Sequence, residues 1–72
     1  MKCAIIGCGR VAPSHIKAAK LNDIEIVALC DIDYEKAVAF SKDNNVENAR
    51  IYEDFKKMLE REELDFVSIA TV

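Results

Sequence analysis

The sequence predicts an α/β fold: a parallel three-stranded sheet, in the order 3-2-1, with helices on both faces. Two observations carry this. Near-continuous apolar runs alternate with stretches of helical period, the pattern of strands buried on both faces and joined by helices. A glycine pair, Gly7-Cys8-Gly9, falls between the first apolar run and the first helical stretch, where the chain must turn sharply. Right-handed crossovers then lay the strands side by side.

Lys2 to Ile6 reads as the first strand. A helix follows from about Pro13 to Leu21, because proline is favoured in a first helical turn, where its missing N–H costs nothing. Ile24 to Cys30 is a strongly β-prone second strand. Asp33 is a helix cap for Tyr34 to Lys42, and Asp43-Asn44-Asn45 breaks that helix. Glu53 to Arg61 is a third helix, with Phe55, Met58 and Leu59 on one apolar stripe and Glu53 and Asp54 in the first turn, where the helix dipole favours them. Leu64 to Val72 is the last strand, with Phe66 to Ala70 as its buried run. A sheet of this order leaves the outer edge of the first strand, Cys3-Ala4-Ile5-Ile6, open to association, so a homo-oligomer is expected.

Composition sets bounds on function. Seventy-two residues, 51% of them hydrophobic, make one domain at most, and a chain this short buries only about 60% of its unfolded surface. No apolar run reaches 18 residues and no charged-then-apolar leader is present, so a soluble chain without membrane contact is expected. The net charge of −3 with scattered basic residues argues against a nucleic-acid partner. An odd set of cysteines, Cys3, Cys8 and Cys30, argues against a disulfide framework and for a reducing cytoplasm. With His15 the sole histidine, no metal site is expected.

Gly7-Cys8-Gly9-Arg10-Val11-Ala12 has the form G-x-G-x-x-A, and Asp31 closes the second strand roughly 20 residues on, which together make a dinucleotide-binding fingerprint. Gly7 serves the turn, Gly9 leaves room for a pyrophosphate against the backbone, and Ala12 lets the helix lie close to the strand. The phosphates would meet N–H groups at the helix start, among them those of Cys8 and Val11. Asp31 can accept both ribose hydroxyls of the adenosine half. It would also repel a 2′-phosphate: at ~4 Å and an effective dielectric constant near 20, two unit charges cost about 4 kcal/mol. Ile32-Asp33-Tyr34 brings no arginine to offset this, so NAD is preferred over NADP, with Lys36 the nearest cation. Asp31 as a turn or cap residue is the plainer alternative. Arg10 is either a counter-charge along the pyrophosphate or a solvated side chain. Cys8 is either a reactive thiol at a helix start or a small filler, and His15 either a base or a packing residue.

The segments Ala4-Ile5-Ile6-Gly7-Cys8-Gly9-Arg10-Val11-Ala12, His15, Val27 to Asp33, Tyr52-Glu53-Asp54-Phe55 and Asp65 to Thr71 resemble the amino end of Gfo/Idh/MocA-family oxidoreductases, over the whole chain. The resemblance implies residues 1–72 are the first half of a Rossmann domain. It also implies an NAD(P)-dependent dehydrogenase acting on a hydroxyl of a sugar, cyclitol or sugar nucleotide. Gly7, Gly9, Asp31 and the Ala70-Thr71 strand end match its cofactor contacts. Val72 stands where the family usually has proline, a departure some sugar-nucleotide dehydrogenases share. The family's Glu-Lys-Pro motif and downstream Asp and His find no match in 1–72, so this segment by itself is expected to be inactive and to belong to a longer enzyme. The alternative is a self-contained nucleotide-binding or interaction module.

Overall fold

A computed structural model describes residues 1–9 and 11–70. Along the chain run β1 (Lys2–Ile6), α1 (Ala12–Leu21), β2 (Glu25–Cys30), α2 (Tyr34–Asp43), β3 (Arg50–Tyr52), α3 (Phe55–Arg61) and β4 (Phe66–Ile69). All the strand pairs are parallel and the sheet order is β3-β2-β1-β4.

This corrects the expected three-stranded sheet in two ways. Arg50–Tyr52 is an additional strand, paired Ala28↔Arg50 to Cys30↔Tyr52. The last strand lies not beyond β2 but on the other side of β1, paired Cys3↔Phe66 to Ile6↔Ile69. The supposed open edge of β1 is therefore closed, and Cys3, Ala4 and Ile5 are buried at the centre of the sheet. The outer position belongs to β4, which explains a second correction. The Phe66–Ala70 run is not buried throughout: Phe66 is 37% and Ile69 64% exposed, and only Ala70 is enclosed.

Helices cover both faces, as the apolar strands require. Ala12 and Ile16 of α1 and Ala37 and Phe40 of α2 pack with Ile5 and Leu29 on one face; Met58 of α3 packs with Ala4, Val27, Ala28 and Cys30 on the other. Burying Met58 completely contributes roughly 1.5–3 kcal/mol. Between Cys3↔Ile26 and Ala4↔Ala28 the register shifts, so β2 carries one extra residue, and Val27 and Ala28 both face α3.

Local chemistry sets the helix ends. Asp33 caps α2 by accepting the Lys36 N–H at 3.2 Å, as its position before a helical run predicts. Asn44 ends α2, and Asn45 takes a left-handed φ of 57°, a conformation asparagine tolerates. Asp54 caps α3 through the Lys56 N–H at 2.8 Å, so α3 starts at Phe55 and Glu53 and Asp54 are outside its first turn. Of its expected apolar stripe only Met58 is buried; Phe55 and Leu59 stay about half exposed.

Candidate dinucleotide site

Gly7 leaves β1 with φ 91°, in the region that favours glycine. Its N–H donates to the Cys30 carbonyl at 2.7 Å, carrying the sheet ladder one step past the strand and setting the loop beside the end of β2. The next N–H, of Cys8, expected to meet the phosphates, is instead taken by Asp31 Oδ2 at 2.9 Å, and the Asp33 N–H donates to Asp31 Oδ1 at 2.9 Å. The Asp31 N–H in turn reaches the Tyr52 carbonyl at 3.0 Å. The carboxylate is thus fixed by both oxygens and by its own backbone.

These bonds settle its charge. Partial burial pushes the Asp31 carboxyl up, but the Asp33 and Cys8 N–H groups and the Lys36 charge outweigh that and hold it below its usual value of 3.8. It is ionised at neutral pH. Asp33 takes the capping role, while Asp31 makes a turn contact with the Asp33 N–H and a loop contact with the Cys8 N–H.

A Cβ on Gly9 would meet the Ala70 carbonyl oxygen at 3.6 Å, an ordinary contact. Among the described residues nothing forbids a side chain there. Ala70 itself is fixed by its N–H on the Ile6 carbonyl at 2.8 Å. Among the described residues no side chain caps α1; Val11 occupies the cap position with an exposed side chain, Pro13 follows, and Ala12 is fully buried against the sheet. Ile32 is 93% exposed beside Asp31.

The carboxyl ends of β1, β2 and β4 thus bring Gly7, Cys8, Gly9, Val11, Asp31, Ile32 and Ala70 to one end of the sheet. In the order β3-β2-β1-β4 the chain runs outward from β1 through β2 to β3, then crosses back to the far side of β1. The glycine loop lies at that reversal, where open α/β sheets bind ligands. The order 3-2-1 would have contained no reversal, so the correction to the fold supplies the crevice. Arg10 and Thr71, also expected in the site, lie outside the described residues.

The two side-chain alternatives resolve differently. Burial first, then the Asp31 charge, pushes the Cys8 thiol up to about 11, beyond what Lys36 offsets, and the sulfur packs among Ile5, Ala12 and Leu29. A thiol so placed is a protonated filler. His15 lines a groove between α1 and β4 with Cys3, Ile5, Phe66 and Ser68, and is not among the groups gathered at Asp31. Another cavity, bounded by Lys20, Glu25, Asn45 and Arg50 at the amino end of β2, lies away from the glycine loop. Sequence reasoning missed the Tyr52 carbonyl and the Cys8 and Asp33 N–H groups as supports of Asp31, because backbone groups leave no mark in a sequence.

Residues 1–72 match the model of the Gfo/Idh/MocA oxidoreductase family, described by its NAD-binding Rossmann fold. The chain belongs to that family. It is 45% identical over 71 residues to D-apiose dehydrogenase of Paraburkholderia graminis, which covers 97% of this chain and 18% of that protein. The myo-inositol dehydrogenase of Lactobacillus casei, solved with NAD(H) and myo-inositol, superposes with a TM-score of 0.81 at 32% identity, covering 99% of this chain and 21% of that one. The WlbA dehydrogenase of Chromobacterium violaceum, solved with NADH and UDP-GlcNAcA, gives a TM-score of 0.84 at 29% identity, covering 99% and 20%. The chain therefore spans about a fifth of the length of the relatives it matches. Among the described residues of this Gfo/Idh/MocA member, no helix is long and apolar enough to cross a membrane.

Proposed function

We propose that this chain is the NAD-binding portion of a dehydrogenase that transfers hydride to or from a hydroxyl-bearing carbon of a sugar, cyclitol or sugar nucleotide. The observation that carries NAD over NADP is Asp31: a carboxylate, ionised and held by two N–H groups, at the end of β2 and followed by Ile32-Asp33-Tyr34, a stretch without arginine. Its remaining lone pairs accept the two ribose hydroxyls of an adenosine. The space over Gly9 and the start of α1 take the pyrophosphate, beside Ala70 on the β4 side; Arg10 and Thr71 are assigned to the cofactor from the sequence alone. Ile32 offers an exposed apolar surface to the adenine. When bound, the nicotinamide ring supplies the hydride acceptor or donor. The sugar-like substrate class is supported by the relatives, whose names and ligands include apiose, myo-inositol and UDP-GlcNAcA. A homo-oligomer and a cytoplasmic location fit this reading.

Gly9→Val tests the site. The fold leaves room for the first atom of the new side chain, so stability should stay near wild type while the pyrophosphate is displaced. Calorimetric titration with NAD should show affinity lowered by at least about tenfold, or roughly 1.4 kcal/mol. Unchanged affinity would refute the phosphate-loop assignment.

A further inference from the structure

β3 has only three residues and sits at the edge of the sheet, with a three-pair ladder to β2 as its backbone support. So short an edge strand frays easily. Its two residues of like orientation, Arg50 and Tyr52, converge on one carboxylate. Arg50 donates through Nε and Nη2 to the two oxygens of Glu62, and the Tyr52 hydroxyl donates to Glu62 Oε2 at 2.5 Å. Glu62 is the residue that ends α3; its side chain is 4% exposed, against 60% for Arg50. The Tyr52 ring packs against the cluster of Ala4, Cys30 and Met58. At the other end of the same residue, the Tyr52 carbonyl accepts the Asp31 N–H.

We propose that Tyr52 and Glu62 are positioning residues for cofactor binding: clamping β3 to the end of α3 holds the Tyr52 carbonyl under Asp31 and so fixes the carboxylate that meets the adenosine ribose. This rests on reading Asp31 as the ribose acceptor. Two ribose hydroxyls must both find oxygens at hydrogen-bonding distance, so a small rotation of the Asp31 carboxylate costs one of the two bonds. The clamp therefore acts on the adenosine half of the cofactor and not on the nicotinamide half.

Calorimetry with ADP-ribose and with nicotinamide mononucleotide, on the intact protein that contains this chain, tests it. Glu62→Ala should lower ADP-ribose affinity roughly tenfold and Tyr52→Phe several-fold, Glu62→Gln should recover most of the loss, and mononucleotide affinity should stay constant. A fall in melting temperature with ADP-ribose affinity intact overturns the proposal, as does an equal loss for both ligands. Should Glu62→Ala fail to fold, Tyr52→Phe, which removes one hydroxyl, decides by the same criteria. Asp31→Ala separates the two levels. If it leaves ADP-ribose binding unchanged, the ribose reading fails and the positioning role with it; if it weakens binding while Tyr52→Phe and Glu62→Ala do not, only the positioning role fails.

Discussion

Gly7 and Gly9 are glycines for different reasons. Gly7 turns the chain through a positive φ, a demand of the backbone itself, while Gly9 has an ordinary φ and space above it. The motif spacing picked out both, and the structure shows that the backbone requires glycine at position 7 and not at position 9. The place of Asp31 was equally legible, as a carboxylate closing a β-prone run beside the glycine loop. Its supports were not, because they are main-chain groups brought together by strand pairing. For cofactor choice, Asp31→Ser combined with Ile32→Arg removes a repelling charge and adds a guanidinium fork for a 2′-phosphate. The ratio of kcat/KM for NADP over NAD in the intact enzyme should rise by at least tenfold, about 1.4 kcal/mol. A wild-type enzyme that already uses both cofactors equally would remove the basis of that reading.

The elements with their own chemical punctuation were readable in advance. Pro13 marked the start of α1, Asp33 that of α2, and Asn44-Asn45 the end of α2. β3 was not, because Arg50-Ile51-Tyr52 is too short to show a period, and a side-chain clamp from α3 adds to the partial burial of Ile51 and Tyr52. The clamp has a pH signature. The Arg50 hydrogen bonds hold the Glu62 carboxyl at about 2, below its ordinary 4.5, so the unfolded chain binds that proton more readily than the folded one. The stabilisation is therefore complete above pH 4.5 and is lost as pH falls toward 2. Denaturant unfolding of wild type and Glu62→Gln across that range should show a stability gap that is constant at higher pH and closes on the acid side. A gap independent of pH would mean the charge on Glu62 contributes nothing.

For the whole molecule, the strand order decides which surface is exposed. Local patterns gave parallel strands and covered faces, but which side of β1 receives the last strand depends on a crossover between residues distant in sequence, which no local signal encodes. With β1 enclosed, the outer strand on that side is β4, which carries the exposed apolar side chains Phe66 and Ile69. The polypeptide of residues 1–72 should therefore self-associate through β4 and not through Cys3–Ile6. Sedimentation at several concentrations should show association weakened in Phe66→Lys/Ile69→Lys and unchanged in Lys2→Glu, whose side chain is already exposed at the start of β1. Equal association by the double variant and the parent would place the contact elsewhere.

The Cys8 N–H bond to Asp31 Oδ2 ties the glycine loop directly to the carboxylate at the end of β2. On the proposed reading, two parts of a dinucleotide would meet one mechanical unit, so that a disturbance of the loop would alter discrimination at the 2′ position and a change at Asp31 would loosen the hold on the pyrophosphate. Under the proposed function, cofactor preference would be a cooperative property of loop and strand end, reached by substitutions that respect both.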